Sequence, residues 1–332
     1  MGKNIKQEVS IGLDTGFGTV VAASLDNAGY VVCNSVPSHS GITRIAELSF
    51  SGASIGSEVK SLARSGIVTH GGNTYAVGDG AFEWGETSGG SMLYTQLADS
   101  RYKSIVYAAL SKLIGHGQDV RANVALALPN ETIASGNGGS ADYGKLMKGA
   151  YNGRHEWVTD GKEYSVTIRV AKILPQAMCA LSSLDEGAVD ETGITSLVTI
   201  GANTIEVFTV RNGRVMARGF AGNRRGGVIR LARLAFGDME WPYADDLIRR
   251  RQVGSEFVEQ WAEEVAATVD SSLAGIRVDS IVLCGGGTQV AARNARHRAG
   301  TIIAGKLEGR GRVIIHQDPV DCVAIGALAE II

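Results

Sequence analysis

A strand, a glycine-centred turn and a second strand occur twice in this chain, and that repeat constrains the fold more than any other feature. The first copy runs Ile11-Gly12-Leu13-Asp14-Thr15-Gly16-Phe17-Gly18-Thr19-Val20. The second is Thr199-Ile200-Gly201-Ala202-Asn203-Thr204-Ile205, so Gly16 matches Gly201 and Thr19 matches Thr204 at one offset of 185 residues. A repeat so distant implies two similar domains facing each other, each offering a hairpin turn to one cleft. The length of 332 residues, about twice the usual domain size, agrees with two domains.

Short apolar, β-branched runs read as further strands: Tyr30 to Cys33, Asn123 to Leu128, Ser196 to Ile200, Ser280 to Cys284 and Val313 to Ile315. Tyr164 to Val170 alternates, as an edge or one-sided strand does. Apolar residues recur at helical spacing from Tyr102 to Ile114, after an N-cap at Asp99 or Ser100, and again over 174–184, 228–236 and 257–273. Strands alternating with helices give an α/β architecture. The stretches 71–90 and 136–153, dense in Gly and polar residues, read as loops.

The formal net charge of −2 argues against strong direct nucleic-acid binding. No apolar run approaches the ~18 residues of a membrane span, and the first residues lack a signal-peptide core. The four cysteines form no Cys-x-x-Cys pair and the six histidines no metal spacing. Each cysteine sits in or beside an apolar run, which predicts buried, reduced thiols and a cytoplasmic protein.

Hairpin turns of Gly, Thr and Asn expose backbone N–H groups that can bind phosphate oxygens, and Asp14 beside such a turn can hold a hydrated Mg²⁺. An ordinary tight hairpin has the same composition. A third cluster, Gly285-Gly286-Gly287-Thr288, follows the strand Ser280 to Cys284 and precedes a helix, where a nucleotide base or α-phosphate can lie close to the backbone. A helix-packing turn would need only one or two of those glycines.

The order of these motifs resembles the actin, Hsp70 and sugar-kinase superfamily. Asp14-Thr15-Gly16-Phe17-Gly18-Thr19 looks like its phosphate-1 motif, Pro175-Gln176-Ala177 its first connecting motif and Gly201-Ala202-Asn203-Thr204 its phosphate-2 motif. Gly285-Gly286-Gly287-Thr288 and Asp318 to Ala327 look like the adenosine and second connecting motifs. Within the superfamily, Tyr75 to Asp79, Tyr102 to Leu110 and Val124 to Pro129 look most like the ParM/StbA-type plasmid-segregation actin-like proteins. The resemblance implies a two-domain actin-like fold. Domain I would be residues 1–178 plus 320–332, with a variable insertion near 36–74; domain II would be 179–319, with a small subdomain near 215–275.

It also implies ATP, or GTP, with Mg²⁺ near Asp14. Gln176 falls where the family keeps a group that orients the attacking water, and Gly226 and Gly227 fall near the nucleotide. Thr199 departs from the pattern, since the phosphate-2 turn normally begins with Asp; Glu206, farther along the strand, reads as a poor substitute, and slow hydrolysis is expected. The implied function is a nucleotide-dependent, filament-forming ATPase of plasmid DNA segregation that self-associates and works with a DNA-bound adaptor. A pseudo-ATPase scaffold and a small-molecule kinase are the competing readings. The basic residues Arg224, Arg225, Arg249 to Arg251 and 293–312 read as solvated faces or partner contacts. Trp84 and Trp157 lie in loop-like stretches, as core anchors or subunit contacts.

Overall fold

The structure, a computed structural model, describes residues 7–42, 65–81, 98–117, 119–129, 140–190, 192–212, 214–216 and 221–332. Trp84 and residues 43–64 of the expected insertion lie outside them. Two compact units divide the chain: Met1–Leu128, Thr132–Leu174 and Ala327–Ile332 form one, and Pro129–Glu131 with Pro175–Gly326 the other.

The first unit is built on a nine-stranded sheet. Its strands are β1 (Gln7–Thr15), β2 (Thr19–Leu25), β3 (Val31–Pro37), β4 (Ser40–Ile42), β5 (Ser65–His70), β6 (Asn73–Gly78), β7 (Asp119–Leu128), β8 (Gly153–Thr159) and β9 (Lys162–Pro175), in the order β3-β2-β1-β7-β9-β8-β5-β6-β4. β1 runs antiparallel to β2 and parallel to β7. Helix α1 (Ser100–Ser111) starts at Asp99, whose carboxylate accepts the Tyr102 N–H at 2.8 Å, the usual satisfaction of an orphan helix donor. Its Ile105, Val106 and Leu110 share one core with Ile11, Leu13 and Leu126. The alternation of Tyr164, Val166, Ile168 and Val170 marks a one-sided strand inside the sheet, β9, rather than an edge.

Two stretches expected to be loops are regular structure. Asn73–Gly78 is β6, with Tyr75, Ala76 and Val77 buried. Ser140–Tyr151 is helix α2, which buries Tyr143, Met147 and Tyr151; their four-residue spacing is a helical stripe that the glycines between them obscure. Trp157 likewise belongs to a strand, β8. Its ring stacks between Tyr107 and Tyr164, with centroids 4.5 and 5.4 Å away, and its indole N–H donates to Ser111 Oγ, so it anchors the core. Cys33 is exposed, against expectation, on β3 at the end of the sheet, where no described residue covers it; the other three cysteines are buried.

The second unit has a six-stranded sheet: β10 (Ile194–Ile200), β11 (Thr204–Arg211), β12 (Arg214–Val215), β13 (Ala221–Arg224), β14 (Ser280–Cys284) and β15 (Arg312–Ile315). The order is β12-β11-β10-β14-β15, with β13 also on β11. Its helices are α3 (Gln176–Ser182), α4 (Val228–Phe236), α5 (Trp241–Arg249), α6 (Ser255–Ser272), α7 (Ala299–Leu307) and α8 (Cys322–Ala329), the last continuing into the first unit. Trp261 and Val265 of α6 pack with Val198, Ile205, Leu283 and Ile303 in one core.

The sequence repeat is a structural repeat. Thr15 pairs with Val20 and Asp14 with Val21 across the β1–β2 hairpin. At the same offset, Ile200 pairs with Ile205 and Thr199 with Glu206 across β10–β11. Each first strand also has a parallel neighbour on its other side, β7 in one unit and β14 in the other.

Candidate functional site

Asp14, Thr15 and the turn Gly16-Phe17-Gly18-Thr19 lie in the first unit. The Gly16 carbonyl accepts two hydroxyls, Ser38 Oγ at 2.7 Å and Tyr102 Oη at 2.8 Å. Because the peptide is trans, the Phe17 N–H points the opposite way from that carbonyl. Burial pushes the Tyr102 phenol well above its ordinary range, and the neighbouring Tyr151 and the Asp14 carboxylate add to the shift, so the hydroxyl stays a donor. Glycine is required at position 16 for the hairpin itself: a Cβ would lie 2.6 Å from the Thr19 carbonyl oxygen.

The matching turn of the second unit, Gly201-Ala202-Asn203-Thr204, is closed by Gly201 N–H to Thr204 O at 2.9 Å. Among the described residues, the N–H groups of Ala202 and Asn203 at its tip donate to no protein acceptor. Its carbonyls are all used. Val228 and Ile229, at the start of α4, donate to Gly201 O and Ala202 O, and Arg225 and Gly227 donate to Asn203 O. The amides of Gly227, Val228 and Ile229 at the start of that helix are thus satisfied by the hairpin, and the Arg230 N–H by Gly227 O. A Cβ on Gly201 would meet nothing closer than 3.6 Å, an ordinary contact, so the hairpin alone does not require this glycine. Gly226 and Gly227 are required by packing, since a Cβ on Gly227 would stand 2.4 Å from Gly201 O. Their amides are engaged by Asn223 O and Asn203 O.

Glu206 is not remote from Thr199, as its distance along the chain suggested. The hairpin register sets the two directly opposite, which places them on the same face of the sheet, and both are buried. Thr199 Oγ1 lies 3.5 Å from Cys284 Sγ on the adjoining strand.

The third cluster follows β14. Gly285 takes φ +91° and donates to Pro319 O, and a Cβ there would sit 2.5 Å from Ile200 O, so the turn presses on the end of β10. Gly286 to Gln289 form one 3₁₀ turn, and the next helix, α7, starts only at Ala299. Thr288 Oγ1 donates to Gly285 O at 2.8 Å. Gly286 has open space where a Cβ would be and no left-handed backbone. Gln176 is the first residue of α3, after Pro175 at the cap, and is buried. It lies in the same unit as the second and third turns.

Residues 12–178 match the family model for the N-terminal domain of actin-like proteins. The chain belongs to the actin-like protein family. Solved structures similar to this actin-like protein include an archaeal actin homologue, Ta0583, at 17% identity and TM-score 0.68, covering 97% of this chain and 98% of that one. A ParM from a 15-stranded filament of Clostridium botulinum is 14% identical with TM-score 0.69, covering 98% and 99%. ParM of Bacillus thuringiensis, solved with ATP, is 13% identical with TM-score 0.64, covering 98% of each chain. No curated protein sequence matches the chain.

Several supporting residues carry no sequence motif. Ser38 and Tyr102 hold the Gly16 carbonyl, and Trp261 donates its indole N–H to Gly226 O at 2.9 Å from within the core of the actin-like protein's second unit. Tyr102 was legible only as part of an apolar helix stripe; the signal was its polar tip, which needs a partner when buried. The basic residues are largely paired locally, Arg249 with Asp245, Arg250 with Asp246, Lys306 with Glu263 and Arg310 with Asp270. Among the described residues no helix is long and apolar enough to cross a membrane, and no group of three metal-ligating side chains occurs.

Proposed function

We propose that this protein binds ATP, or GTP, with Mg²⁺ and forms nucleotide-dependent filaments that act in plasmid DNA segregation through a DNA-bound adaptor. The observation that carries the reading is the Gly201–Thr204 turn. It offers two N–H groups that find no protein acceptor among the described residues, beside a glycine that the hairpin does not itself need, as a phosphate cradle does. The open space over Gly286 supports close approach of a nucleotide at the Gly285–Thr288 turn.

In this reading Asp14 holds Mg²⁺ through its water shell, and Thr15, Gly16, Phe17, Gly18 and Thr19 meet the β- and γ-phosphates. Gly201, Ala202, Asn203 and Thr204 bind phosphate oxygens through the turn's amides, with Gly226 and Gly227 giving backbone proximity rather than donors. Gln176 orients the attacking water, and positioning is most of what phosphoryl transfer needs. Mg²⁺, when bound, neutralises charge on the phosphate oxygens. Filaments follow if one nucleotide state presents surfaces that fit head to tail, because such contacts need not close into a ring.

Light scattering and negative-stain microscopy on the purified protein with Mg-ATP and Mg-GTP test assembly, and calorimetry tests binding. Polymers that require Mg-nucleotide and are lost in Asp14→Ala are the expected outcome. Monomers throughout, with no measurable nucleotide affinity, overturn the reading. A second reading, a scaffold that holds nucleotide without turnover, draws on Thr199; binding and assembly without phosphate release would establish it.

A further inference from the structure

His316 follows β15 and is 2% exposed. Its backbone N–H donates to Leu283 O at 3.0 Å, prolonging the pairing with β14. Its ring is tied at both nitrogens. Nδ1 accepts the Asp318 N–H at 3.0 Å, so that nitrogen carries no proton. Nε2 therefore carries it and faces Ser183 Oγ at 3.0 Å, and Ser183 Oγ passes a hydrogen bond on to Ala180 O. Beside the ring, Gln317 donates to the Ser183 carbonyl. The neutral imidazole thus joins the C-terminal end of α3 to the loop 317–321.

That loop supports the third glycine turn. Pro319 O accepts the Gly285 N–H at 2.6 Å, and Gly285, held against Ile200 O, begins the turn that leads to Gly286, Gly287 and Thr288. A continuous series of contacts therefore runs from Ser183 through His316, Asp318 and Pro319 to Gly285 and the end of β10.

We propose that neutral His316 is the positioning residue for the Gly285–Thr288 turn, and that a proton on its Nδ1 releases the 317–321 loop and lowers nucleotide affinity. The proposal rests on the reading of that turn as part of a nucleotide site. A proton on Nδ1 would set a donor against the Asp318 N–H, and the loop must then move. The charged groups that face the ring are Asp318 on the loop and Asp185 beyond α3. Both favour the protonated form, but burial outweighs them and lowers the histidine below its ordinary value. Asp321, farther along the loop, is itself pushed up by burial and by Asp318, so a variant at position 316 is needed to separate the two groups.

The experiment measures affinity of the full chain for Mg-ATP by calorimetry between about pH 5.5 and 7.5, for wild type and for His316→Asn, which keeps an acceptor on a side chain that does not titrate. Wild type should bind more weakly at the acid end, by up to ~10-fold, the most that one proton on a released histidine with the ordinary value of 6.5 allows over this range, and His316→Asn should lose less than ~3-fold. Equal pH profiles overturn the proposal. Hydrogen exchange of the Asp318 and Gly285 amides in nucleotide-free wild type, corrected for intrinsic rates, is read in parallel. Faster exchange at acid pH supports the latch even if ATP does not bind at any pH, which would sink only the nucleotide reading. Unchanged protection of both amides sinks the latch, and keeps the test intact if His316→Asn does not fold.

Discussion

Gly326 of α8 lies against the backbone of Cys179 in α3 so closely that a Cβ on Gly326 would stand 1.7 Å from the Cys179 carbonyl oxygen. The two helices that carry the connecting motifs therefore meet backbone to backbone, and only glycine allows the approach. Because the obstacle is main chain, a rotamer change cannot relieve it.

Gly326→Ala should destabilise the protein by at least the ~1–3 kcal/mol typical of overpacking. Gly286→Ala, whose Cβ meets nothing within 4 Å, serves as the control and should leave the denaturation midpoint unchanged. Urea unfolding of both variants reads the difference; equal midpoints would show that α3 and α8 move apart at little cost.

The two hairpin glycines should separate stability from binding. Gly16→Ala puts a Cβ 2.6 Å from Thr19 O and should lower the melting temperature in the absence of nucleotide. Gly201→Ala, with its nearest contact at 3.6 Å, should melt like wild type yet bind Mg-ATP ~10-fold more weakly, about 1.4 kcal/mol, because the methyl fills the cradle. Calorimetry paired with thermal melts decides, and unimpaired binding in Gly201→Ala would remove that turn from the site.

Thr199→Asp would place a second carboxylate directly opposite Glu206 in a buried pair of positions. Two like charges there oppose ionisation of both, so without metal the variant should lose on the order of 1–3 kcal/mol of stability. Mg-ATP should recover more stability in the variant than in wild type, and phosphate release should rise. A variant as stable as wild type without Mg²⁺ would mean that the two side chains do not feel each other.

Acid should destabilise the fold through neutral histidines, His316 buried and His70 and His155 half-buried. Burial lowers His70, His155 and His316 below their ordinary value, against partial opposition from backbone hydrogen bonds at His70 and His155. The unfolded chain then binds more protons than the native one. Their contribution is fully present above about pH 6.5, the unfolded value, and diminishes as the pH falls below it towards the lower native values. Denaturant midpoints measured from about pH 8 to 5.5 should fall, and His316→Asn should flatten part of that fall. A pH-independent midpoint would show that the rings protonate without structural cost.

The sequence by itself determined the features whose signal is local or repeated. A helix start at Asp99 or Ser100, the alternation of β9 and a helix over 257–273, found at Ser255–Ser272, follow from capping chemistry and side-chain period. The repeated hairpins were legible because one offset aligns both turns, and it also contained the Thr199–Glu206 pairing, since Thr15–Val20 and Ile200–Ile205 close the two turns in the same register. The α2 stripe of Tyr143, Met147 and Tyr151 is present too, but Gly144 and Gly149 between them give the segment the composition of a loop. Tertiary structure alone decided that Ser38 and Tyr102 meet Gly16 O, that Pro319 meets Gly285, and that Gly326 meets Cys179. Those contacts join segments far apart in the chain, each satisfying a buried polar group or closing a void that exists only once sheets and helices have packed, and no local pattern of residues encodes such a partner.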